Sequence, residues 1–277
     1  LRRAARWYGE AGQAFPDTLQ MSFVPALAFG GVAALAVSAM LPRPVEAKNR
    51  FALEPPNVEQ KRAYKYAAMS GADCLKELDR RKVPYKLEPP TKQVDTPLRF
   101  TGPIRGVAFK LTKRAEENPD PVSPAAVADC RLALAIDDMA QVLAKRKVKT
   151  VEYLSMYRKR GVGFIRPGTR HPAGLAIDVA TITTRGAPVD GTEPAPKDTT
   201  YSVYGDWHPS RVGGTTCGPK ATKPRKNTPG ARFLRDVVCE LADQGSFNLL
   251  LTPHYDWGHR DHFHMEVRTG IRWFLIQ

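Results

Sequence analysis

The chain is poor in cysteine, in histidine and in acidic charge. Its 277 residues hold four cysteines, with no C-x-x-C pair among them, so a cysteine-ligated zinc site has no support. Cys74, Cys130, Cys217 and Cys239 suit two disulfides in an oxidising compartment instead; three pairings are open, and free buried thiols are the alternative. The 28 Asp and Glu stand against 42 Lys and Arg, a net charge of +14, which favours nucleic acid, anionic lipid or acidic wall polymers as partners. No zinc finger and no aromatic RNA platform is present, so nucleic acid is not the expected one. No internal repeat is evident either.

Residues 23–41, "FVPALAFGGVAALAVSAML", lack charge altogether and follow the basic Arg2, Arg3 and Arg6. Pro25, Gly30 and Gly31 argue against a buried core helix, as does an apolar surface on every side. The segment reads as an export signal cleaved after Ala47 or as a retained anchor in contact with the membrane. The expected place is the periplasm or cell envelope. Residues 1–47 are then signal or anchor, residues 48–69 a proline-bearing linker, and residues 70–277 the folded domain.

A helical pattern runs over residues 64–81, with Tyr64, Ala67, Ala68, Leu75 and Leu78 on one face. A second helix is expected from "SPAAVADCRLALAIDDMAQVLAKR", capped by Ser123 with Pro124 behind it, and a third from Thr228-Pro229 to Gly245. "GVAFKLT", "VKTVEY", "NLLLTP" and "HFHMEVR" read as strands. The long Pro- and Gly-rich stretch between Thr184 and Thr228 reads as a lid, a binding loop or an insertion.

Four of the six histidines fall between His254 and His264. His262 and His264 are two apart on an expected strand, so both side chains leave one face. Upstream, "HPAGLAIDVA" places Asp178 between Ile177 and Val179. A carboxylate inside such an apolar strand needs a cation, which is either a metal or a buried arginine partner. His171, Asp178 and His264 together offer two nitrogens and one oxygen, leaving a fourth tetrahedral position for water, the composition of a catalytic zinc site. Arg158 and Arg166 are candidates for holding a substrate carboxylate or stabilising a tetrahedral intermediate. The pairs Asp206-Trp207 and Asp256-Trp257 are candidates for cleft walls or for core packing.

"HPAGLAIDVA" with "HRDHFHMEV" resembles the H-x6-D and H-x-H signature of zinc D-Ala-D-Ala peptidases and murein endopeptidases, which share a fold with hedgehog signalling domains. Within that group the chain resembles the bacterial extensin-like C-terminal domain family over roughly residues 70–277. The resemblance implies a Zn2+ held by His171, Asp178 and His264, with His262 as catalytic helper, Asp261 as its rival or orienting partner, and His259 as a further functional histidine. Arg170 and Thr169 depart from the family pattern next to the first ligand, and Tyr157 stands where the family carries a cysteine while Cys217 appears instead, so the family's disulfide pairing does not transfer. The expected function is hydrolysis of peptide bonds in peptidoglycan or another envelope polymer; a wall-binding module without turnover is the alternative. The expected architecture is α+β, hedgehog/DD-peptidase-like, with helices on one face of a mostly antiparallel sheet of about four to six strands.

Overall fold

The computed structural model describes residues 57–113, 123–159, 170–186 and 197–277. The N-terminal apolar segment, with its expected signal or anchor, lies outside them. Among the described residues no helix is long and apolar enough to cross a membrane.

The fold is α+β. A three-stranded antiparallel sheet, in the order β1-β2-β4, consists of Tyr85–Leu87, Pro97–Phe100 and Ala128–Asp129. The main sheet has seven strands, one or more beyond the expectation. It is made of β3 (Ala108–Leu111), β5 (Val148–Tyr153), β6 (Ala176–Thr184), β7 (Thr199–Ser202), β8 (Leu249–Leu251), β9 (Phe263–Glu266) and β10 (Leu275–Ile276). Its path runs β10-β8-β9-β6-β5-β3, with β7 also on β6. Most pairs are antiparallel, but β3 with β5 and β10 with β8 are parallel, so the sheet is mixed.

The expected helix over residues 64–81 is two helices, α1 (Arg62–Ala68) and α2 (Gly71–Arg80). Ser70 caps α2 by accepting from Asp73 N, a local bond that outcompetes continuation through Met69. The break resets the phase: Ala63, Tyr66, Cys74 and Leu78 are buried, whereas Ala68 is exposed. Because Tyr66 donates to buried Asp138 at 2.5 Å, the folded part extends into the segment read as linker. The next helix also begins later than expected. Ser123 and Pro124 open only a 3-10 turn, and α3 spans Cys130–Lys145 with Asp129 as its cap. After a short helix, α4 (Val203–Asp206), α5 covers Pro229–Gln244 between the Thr228 cap and left-handed Gly245, where the sequence signals put it.

Ile177, Val179, Phe263, Met265 and Leu250 share one apolar core with Leu134, Ile136 and Met139 of α3 and Leu234, Val237 and Leu241 of α5. Period-2 alternation therefore sends Asp178, His264, Glu266, Leu249 and Leu251 to the other face. On α5 Leu234 is fully buried and Phe233 only partly so.

All four cysteines are paired. Cys74–Cys130 ties α2 to the start of α3, and Cys217–Cys239 ties a loop to α5. The pairs lie 56 and 22 residues apart, separations for which the chain-entropy estimate is about 4 and about 3 kcal/mol.

Candidate metal centre

Strands β6 and β9 pair antiparallel with Asp178 directly opposite His264. That register alone brings the two side chains together on the face turned away from the helices. His171 arrives from the 3-10 turn His171–Ala173 that leads into β6. The turn closes through Gly174 at φ +64°, where an added Cβ would meet Asp129 N at 2.9 Å, so only glycine fits without displacement.

His171 Nε2 lies 3.1 Å from Asp178 Oδ2, and His264 Nδ1 lies 2.7 Å from Asp178 Oδ1. One donor atom from each of the three residues falls within 4.8 Å of the others, and all three residues are buried. A second cluster, His259, His262 and His264, shares His264 with the first. His262 Nε2 is 3.6 Å from Asp178 Oδ1. His259 stands beside these rings, its centroid 5.2 Å from that of His262 and 5.7 Å from that of His264.

Each imidazole is also held from behind. His171 Nδ1 is 3.1 Å from Met156 O, His259 Nδ1 is 2.7 Å from Asp256 Oδ1, and His262 Nδ1 is 2.9 Å from Asp261 Oδ1. His264 Nε2 is 2.6 Å from Glu266 Oε1. Such outer partners fix tautomer and ring orientation, the usual arrangement around a histidine that binds metal through its other nitrogen. The donor set therefore fits a metal ion.

Burial acts against the Asp178 charge, but His171 and His264 outweigh it and hold the carboxyl well below its usual range. Burial keeps His171 below its ordinary value despite Asp178. Burial also opposes the charge on His264, yet the bonds to Asp178 and Glu266 raise it to about 9. A cation bound at Nδ1 competes with that proton, so metal uptake is coupled to proton release. Burial pushes His259 down to about 4 even with Asp256 bonded to it.

The structure corrects several expectations. Arg158 does not stand ready for substrate alone: its Nη2 donates to Asp178 Oδ2 and its Nε to Ser155 Oγ at 2.8 Å. The arginine partner weighed as an alternative to a metal is thus present beside the imidazoles. Asp261, expected as rival or orienting partner of His262, places its Oδ1 2.9 Å from His262 Nδ1, the contact of an orienting partner. Arg166 lies outside the described residues. Trp207 is a core residue with no exposure, whereas Trp257 is exposed.

Glu266 was missed. It is fully buried, holds His264, accepts from Arg170 N at 3.0 Å and pairs with Arg268. The signal was available: Glu266 sits between Met265 and Val267 as Asp178 sits between Ile177 and Val179, and two residues after His264 puts it on the same face.

The centre opens into a cleft of about 380 Å³ that Leu249, Leu251, Trp273 and Leu275 also line. His254 takes no part. It is fully buried edge-on to Trp207, its Nδ1 3.4 Å from Thr216 Oγ1. Burial pushes its imidazole down to about 4, and Arg235 and Arg211 add to this. In the unfolded chain the same group takes up a proton below about pH 6.5. Its contribution to stability is therefore complete above that pH and is lost as pH falls towards about 4. Urea unfolding at pH 7 and pH 4.5 is expected to show a loss on acidification smaller by roughly 2 to 3 kcal/mol in His254→Gln than in wild type. Equal losses would contradict this role.

Comparison of the chain with protein families, with curated proteins and with solved structures finds no match.

Proposed function

We infer that this chain is an exported, zinc-dependent peptidase that hydrolyses peptide bonds of peptidoglycan, as a carboxypeptidase or an endopeptidase of the D-Ala-D-Ala peptidase type. One observation supports the metal reading above the others. Four imidazoles, each tied at one nitrogen to a carbonyl or carboxylate, gather in one cluster, three of them facing the buried carboxylate of Asp178. An Arg158 salt bridge accounts for the carboxylate but not for this gathering. Two disulfides agree with an oxidising, extracytoplasmic setting.

A zinc ion held by His171, Asp178 and His264 would polarise the scissile carbonyl and lower the pKa of water. His262, oriented by Asp261, accepts the proton of the attacking water at Nε2 and returns it to the leaving amine. Arg158, at the cleft, supplies positive charge for a substrate carboxylate or for the developing oxyanion. The apolar lining supplied by Leu249, Leu251, Trp273 and Leu275 limits water access.

Purified residues 48–277 are expected to release new amine termini from isolated peptidoglycan, to stop doing so after chelation and to recover with zinc. Metal-dependent binding to the wall without any new amine would replace this reading with that of a binding module.

A further inference from the structure

Trp257 is the most exposed large apolar side chain among the described residues, 74% accessible. It is nevertheless held in place. It begins the 3-10 turn Trp257–His259, whose cap Asp256 accepts from His259 N at 3.2 Å and bonds His259 Nδ1 at 2.7 Å. The Arg260 guanidinium lies over the indole, 5.5 Å from its centroid, and donates to Trp257 O at 3.2 Å. Tyr255 on one side of Trp257 in the chain, and Gly258 and His259 on the other, line the metal cleft. The turn that positions His259 thus also carries an exposed aromatic ring whose chain neighbours line the cleft.

We propose that Trp257, with Arg260 and Asp261, forms a saccharide subsite that stacks one pyranose ring of the glycan to which the cleaved peptide is attached. This deepens the peptidase reading and rests on it for the link between subsite and reaction. An indole face is electron-rich and attracts the C–H groups that crowd one face of a pyranose. A sugar also needs donors and acceptors at its rim for hydroxyl and amide groups. Arg260 is exposed, and the Asp261 side chain is 42% accessible. A lipid surface or a broad protein interface would call for a continuous apolar patch; the chain around Trp257 is Asp256, Gly258, Arg260 and Asp261 instead.

The test is binding of a soluble N-acetylglucosamine tetramer to wild type, Trp257→Ala and Trp257→Phe, followed by the indole N–H resonances and repeated after metal is stripped with chelator. Wild type is expected to bind with or without metal, Trp257→Ala roughly tenfold or more weakly, and Trp257→Phe in between, with metal content equal in all three. If peptidoglycan is never cleaved but this pattern holds, the peptidase reading fails and the saccharide subsite stands. No binding by wild type, or equal binding by folded Trp257→Ala, overturns the subsite. So does Trp257-dependent binding of anionic vesicles or of glycan-free stem peptide in place of the tetramer.

Discussion

Replacing Asp178 by alanine is expected to eliminate metal binding and with it all hydrolysis. Among the described residues Asp178 is the one that faces His171, His262 and His264 together, and it is fully buried. The loss of affinity should exceed the roughly 10–100-fold that removing a hydrogen bond to a ligand costs. That smaller loss is expected of Glu266→Gln, which weakens the support of His264 without removing a donor. Both Asp178 substitutions, to alanine and to asparagine, remove a buried charge that partners Arg158 and are destabilising for that reason; Asp178→Asn at least leaves no cavity, so it is the variant whose folded state separates metal loss from misfolding. Isothermal titration with zinc, beside circular dichroism of each variant, reads both effects. A folded Asp178→Asn that binds zinc as tightly as wild type would exclude this carboxylate as a ligand.

His262→Ala should behave differently: metal content unchanged, and turnover lower by roughly 10²–10⁴-fold, the range for losing a general acid-base group. His262 faces Asp178 at 3.6 Å, the longest of the imidazole contacts to that carboxylate, and Asp261 braces it from behind. Asp261→Asn should cost less, since it leaves the imidazole in place. Zinc content and single-turnover rates on isolated peptidoglycan check both variants. If His262→Ala loses zinc along with turnover, the ion belongs to the cluster of His259, His262 and His264, and His262 is a ligand and not a base.

What could be read from the sequence was what local chemistry decides. Thr228, Pro229 and Gly245 each act within a few residues of the helix they bound, and the expected α5 matched. The spacing of His262 and His264, and Asp178 amid apolar neighbours, likewise carried their meaning within one strand. The break at Met69 was also local, but the apolar periodicity on both sides masked the Ser70 cap. Contacts made over long separations were out of reach: the parallel pairing of β10 with β8, the choice of Cys74–Cys130 among three pairings, and Arg158 on Asp178. Asp137 and Asp138 are buried within an otherwise largely apolar helix. In the fold they pair with Arg62, Arg81 and Arg105, and Asp138 accepts from Tyr66 as well.

The metal centre is tested most directly by titrating the metal-free wild-type chain with cobalt(II) while following its visible absorption and the bound ion by equilibrium dialysis. The expected result is one ion per chain, with the intense bands of a low-coordinate nitrogen and oxygen site, and neither ion nor bands in folded Asp178→Asn. A folded wild type that takes up no cobalt and no zinc would contradict the assignment of His171, Asp178 and His264 as ligands.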